Sequence, residues 1–108
     1  QHCKVARLVG VPEEKISAIK GWTTSEAFSP VERAAMAATD EILSLNRVED
    51  STFAALQQHL SDPEILEVFV VSGLWRMHGL IVRALHLEYD NDTTARLREV
   101  PAPNEKDA

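Results

Sequence analysis

The four residues Ser61-Asp62-Pro63-Glu64 open a stretch, Ile65 to Leu87, that is apolar nearly throughout. Serine as cap, proline in the first helical turn and glutamate three residues after the serine make a capping box, so the stretch begins as a helix. The spacing predicts one long helix over roughly Pro63 to Glu88. Val68 to Val71 has strand-forming character, but it lies inside a run that a strong cap has already committed to helix. Glu67, Arg76, His78 and Arg83 interrupt the apolar residues, so no clean span of about 20 is left to cross a bilayer. No membrane is expected, and the segment reads as one long buried C-terminal helix, in a core or at a subunit interface.

The remainder is also helical in pattern, and no segment reads as a strand. Val5, Leu8 and Val9 form an apolar edge followed by Gly10, a natural helix stop. Pro12, Glu13 and Glu14 open a second short helix with acidic residues in its first turn, where the helix dipole favours them. Ile16 and Ile19 share a face, Gly21 reads as the stop, and Trp22 to Phe28 reads as a linker. Ser29-Pro30-Val31-Glu32 is another capping signal, predicting a helix to about Asn46. Its stripe of Val31, Ala34, Ala35, Ala38, Ile42 and Leu45 suits close helix packing. Asp50 or Ser51 is expected to cap a short helix carrying Phe53, Leu56 and Leu60. About five to six helices follow, so the fold class is all-α. Residues 1–89 read as one helical domain and residues 90–108 as a polar tail.

A chain of 108 residues has the length of one domain. Eleven basic against seventeen acidic residues give a net charge of −6, the wrong sign for nucleic acid or an anionic membrane as main partner. A single cysteine forms no intrachain disulfide and fits a reducing cytoplasm. The chain opens Gln1-His2-Cys3, with neither an initiator methionine nor a signal-peptide pattern, so an upstream part is expected.

At about 100° per residue, Ser72, Arg76, Gly79, Arg83 and His86 share one arc of the long helix, polar or small. Leu74, His78, Ile81, Val82, Leu85 and Val71 share the opposite, apolar side. The first arc is expected to face solvent or a second subunit, and His78 to point into the core or a pocket. Solvated arginines and a hydrogen-bonded core histidine are the plainer readings of the same pattern. The four histidines lack metal-ligand spacing, and no Cys-x-x-Cys, His-Glu-x-x-His, phosphate-binding loop or nucleophile elbow occurs. No metal and no cofactor are expected.

His2, Ala6 and Gly10 recur every four residues, followed by Val11-Pro12-Glu13-Glu14-Lys15-Ile16 and Trp22. Then come Phe28-Ser29-Pro30-Val31-Glu32-Arg33-Ala34, Thr39-Asp40-Glu41, Phe53-Ala54-Ala55-Leu56, Leu60-Ser61 and the long helix ending Arg83-Ala84-Leu85. In order and spacing this set resembles the carboxymuconolactone decarboxylase family, within the alkylhydroperoxidase D-like superfamily, over roughly Gln1 to Tyr89. The resemblance implies an alkylhydroperoxidase D-like helical subunit that assembles through its long helices as a homotrimer or homohexamer. It also implies a site near the subunit interface containing a histidine, which His2 matches.

Two chemistries follow from the resemblance. A decarboxylase-like enzyme would act on a small carboxylated lactone or related acid. His2 would be its catalytic proton donor or acceptor, with Trp22, Arg76 and His78 binding substrate and Arg76 holding the carboxylate. A thiol peroxidase or disulfide reductase would instead need two cysteines. In that branch they precede the histidine, and so would lie upstream of Gln1; Cys3 follows it and matches neither. A catalytically silent oligomer is the third reading.

Overall fold

A computed structural model of the chain describes residues 2–87. Among these residues the fold is all-α, with five α-helices, one 3-10 turn and no strand. They divide into two compact units, residues 2–27 and Phe28–Leu87. The polar tail assigned to residues 90–108 lies outside the described residues.

The first unit holds α1 (His2–Leu8), α2 (Glu13–Ala18) and a 3-10 turn (Ile19–Thr24). Gly10 ends α1 as anticipated: its φ of 88° is one that side chains resist, and it lets two amides turn back on the helix. Gly10 N–H donates to the Arg7 carbonyl at 3.1 Å and Val11 N–H to that of Ala6 at 2.9 Å, a Schellman closure. Arg7 then grips Glu13 on the next helix with two hydrogen bonds, 2.7 and 2.9 Å. These bonds, and the attraction between the two opposite charges, lower the Glu13 pKa and raise that of Arg7. Gly21 does not stop the second helix. It bends it, at φ −110° and ψ 33°, and the 3-10 turn continues through Trp22 to Thr24.

The second unit is a three-helix arrangement of α3 (Pro30–Leu45), α4 (Asp50–His59) and α5 (Asp62–Ala84). Ser29 Oγ accepts the Glu32 N–H at 3.3 Å, and the Ser61–Glu64 box closes in both directions. The cap of α4 differs from expectation: it is Glu49, one residue before Asp50. The reason lies eight residues back on α3, where the Glu41 carboxylate accepts the Glu49 N–H at 2.9 Å and the Thr52 hydroxyl. Glu41 thereby anchors the start of α4 to α3, while no side chain of α4 itself caps its first-turn amides.

The buried centre is small: Ala34 and Ala38 of α3, Leu56 of α4 and Ile65 of α5, flanked by Val48, Ala55, Leu60 and Phe69. The Phe53 and Phe69 rings tilt together at 6.3 Å. Leu56 is the one large side chain fully buried among the described residues, at 0% exposure.

Two expectations for α5 require correction. It ends at Ala84 rather than near Glu88, because His86 takes a left-handed φ of 51° and leaves the helix. Leu87 N–H returns to the Val82 carbonyl at 3.0 Å and His86 N–H to that of Arg83 at 3.3 Å, a second Schellman closure built without glycine. The second correction is one of orientation. The small members of the polar arc turn inward, with Ser72 buried and Gly79 half-buried, and its Arg76, Arg83 and His86 are exposed; of the apolar side, Val82 is half-buried while Val71, Leu74, His78, Ile81 and Leu85 face outward. The alanine stripe of α3 explains the choice, because close approach to it requires small residues on the facing helix. Thr39 Oγ lies 3.4 Å from Ser72 Oγ at this contact. Each hydroxyl gives its single proton to its own helix, Thr39 to Ala35 and Ser72 to Val68, so the two helices pack without a buried polar group going unsatisfied.

Candidate functional site

Each expected site residue now has a place. His2 is exposed in the first turn of α1. Trp22 is half-buried in the 3-10 turn, and its carbonyl accepts the Ser25 N–H at 3.3 Å. Both belong to the first unit, whereas Arg76 and His78 stand on α5 in the second. Neither unit alone contains all four.

Arg76 is occupied. Its Nη1 donates to the Asn46 side-chain oxygen and, at 3.4 Å, to the Ile42 carbonyl. Both acceptors sit at the C-terminal end of α3, where the dipole favours a cation; the Ile42 carbonyl also accepts the Asn46 N–H at 3.1 Å. Asn46, at φ 56°, terminates α3 and turns its amide toward this arginine. The guanidinium therefore ties α5 to the end of α3, a role the sequence arc did not disclose because its partner is 30 residues away. Arg76 remains exposed while making this contact, as do Arg83 and His86 of the same arc.

His78 is not in the core. It is exposed, and the Trp75 ring meets it edge-on, with centroids 5.4 Å apart and planes at 84°. Its neighbours on the helix surface, Leu74 and Ile81, are about half exposed. An imidazole thus stands within an apolar field that the chain itself leaves open. Cys3 is a free, exposed thiol. Among the described residues no group of three or more His, Cys, Asp or Glu side chains gathers as a metal site.

The outward side of α5 is the largest feature that the fold leaves without a purpose. Leu66, Val70, Trp75, Met77 and Leu80 join the residues above, with Leu66 and Leu80 each 61% exposed. By length and mean hydropathy, 1.6, the helix passes as a membrane span. That composition is equally what a helix at a subunit interface requires.

Compared with known proteins, the chain matches no family model, no curated protein and no solved structure. A functional reading must therefore be carried by the geometry above and by the sequence pattern.

Proposed function

We propose that this chain is the self-associating subunit of a carboxymuconolactone decarboxylase-like enzyme of the cytoplasm, a homotrimer or homohexamer acting on a small carboxylated lactone or related acid. The observation that carries the reading is the outward apolar face of α5, which the described residues of one chain leave open over most of the helix length. Soluble monomers rarely expose such a surface; subunits of an oligomer do.

In the proposed reaction the bond to the substrate carboxylate breaks, carbon dioxide leaves, and the electron pair passes into the conjugated lactone as a dienolate. His2 delivers a proton to carbon and recovers one from water. Stabilising the anion and supplying that proton are the two tasks the protein must perform. Arg76 Nη1 is committed to α3, so a substrate carboxylate would have to use the remaining guanidinium N–H groups.

Light scattering and turnover of small carboxylated lactones test the reading together. The expected mass is a multiple of the 12.0 kDa chain, and His2→Gln should lower the rate by roughly 10²–10⁴ while stability changes by no more than about 0.5 kcal/mol. Cys3→Ser should keep full activity. A monomer at all micromolar concentrations, or undiminished turnover in His2→Gln, overturns the proposal; the latter outcome makes His78 the next residue to replace.

A further inference from the structure

Glu67, Val71, Leu74, His78, Ile81 and Leu85 follow one another at alternating steps of four and three residues, all on the exposed side of α5. That is the spacing of a helix-pairing seam, in which each side chain enters a gap on a facing helix. The seam is apolar except for one carboxylate and one imidazole. We propose that α5 pairs antiparallel with α5 of a second copy about a two-fold axis, each Glu67 carboxylate accepting a hydrogen bond from the His78 imidazole of the other copy. The inference rests on the self-association proposed above and specifies its geometry.

The register follows from helix length. An antiparallel pair buries most surface when its axis passes the middle of the helix, and the middle of Asp62–Ala84 is Gly73. The midpoint between Glu67 and His78 lies between Ser72 and Gly73, so the register of greatest overlap is also the one that brings these two side chains opposite each other. Val71 then faces Leu74 of the other copy, and the two-fold repeats both contacts. Sliding one seam repeat further would centre the axis on Arg76 and set Glu67 against Leu85, burying a carboxylate without a partner. Arg76 does not compete for Glu67, because it points to the end of α3. The same carboxylate argues for a protein partner over a bilayer: lipid offers Glu67 nothing, whereas a second copy offers it an N–H donor. Of the assemblies named above, a trimer lacks two-fold axes and a hexamer made of two trimers has them, so this pairing selects the even-numbered one.

Cross-linking on a Cys3→Ser background tests the geometry. Chains carrying Glu67→Cys are mixed with chains carrying His78→Cys and oxidised, since paired positions across the axis come within disulfide reach. A disulfide in the mixture and little in either chain alone is the expected result. Self-linking of Glu67→Cys would show parallel helices, and linking of Glu67→Cys to Leu85→Cys would show the shifted register; either overturns the proposal. In parallel, Glu67→Lys should weaken association at least about tenfold, and Glu67→Lys combined with His78→Glu should restore it. An oligomer with neither the link nor the rescue refutes the pairing but leaves self-association standing. A monomer that instead binds phosphatidylcholine vesicles refutes both.

Discussion

Leu56 is where the fold of the three-helix unit is most exposed to a single substitution. It is wholly buried, and its neighbours across α3 and α5 are Ala34, Ala38 and Ile65, two of which are too small to move into a void. Leu56→Ala removes three carbons from a site that cannot collapse, so both the lost transfer energy and most of the cavity penalty are retained. The measured span for such buried replacements is about 2.7–5.0 kcal/mol, and the stiffness of this site puts the expected loss at about 3 kcal/mol or more. A unit the size of Phe28–Leu87 has a total stability of only a few kcal/mol, at roughly 0.05–0.15 kcal/mol per residue. The substitution should therefore consume much of it. At roughly 4–8 °C per kcal/mol, the melting temperature should fall by more than about 12 °C. The assay is thermal and urea unfolding followed by circular dichroism at one fixed protein concentration, since assembly adds stability that depends on concentration. Leu56→Met, which conserves volume, should cost less than about 1.5 kcal/mol in the same assay. A loss below about 1 kcal/mol for Leu56→Ala would mean that the buried centre is not what holds these helices together.

The remaining predictions concern the ends and faces of the helices. Hydrogen bonds from Ser61 lower the Glu64 pKa, so the capping box of α5 contributes fully above the ordinary glutamate range and is lost as pH falls through the depressed value. Wild-type and Glu64→Gln should accordingly differ in melting temperature at pH 7 and converge once the pH falls below the depressed value; a gap independent of pH would refute the assignment. Arg76→Ala and Asn46→Ala should each destabilise by about 1 kcal/mol, and the double variant by less than their sum, whereas strict additivity would show that no tether exists.

What could be read from the chain was what local physics decides. The caps at Ser29 and Ser61, the proline soon after each, and Gly10 all act within a few residues, and the start of α3 and the end of α1 fall where they predict, while α5 starts at Asp62, one residue before the expected Pro63. Where a boundary depends on a distant group, local pattern misplaces it. α4 starts after Glu49, whose N–H is held by Glu41 of α3, and no window around Asp50 contains that information. His86 ends α5 in a left-handed conformation, which histidine adopts far less often than glycine. The candidate site was legible only as residue types. His2 and Trp22 fall in one unit and Arg76 and His78 in the other, and helical spacing cannot report that division. Nor could it report that Arg76 has an acceptor waiting at Asn46.

The orientation of α5 was misread for a reason that bears on function. A wheel yields two arcs, and the ordinary rule turns the apolar one inward. Here the inward choice was made by α3, whose alanines admit only a close neighbour, and the residues small enough to come close include Ser72 and Gly79. Once that contact forms, the Thr39 and Ser72 hydroxyls satisfy themselves on their own helices, so burying Ser72 costs little, and the exposed Arg76 reaches across to the end of α3. The apolar arc is then left largely outside, with side chains such as Leu74 at 52% and Ile81 at 45% exposure. The same packing that closes the three-helix unit thereby creates the surface that the proposed assembly would cover. Enlarging Ser72 should disturb the α3–α5 contact and loosen assembly with it, whereas changing Leu74 to a polar residue should dissolve the assembly and spare the three-helix unit.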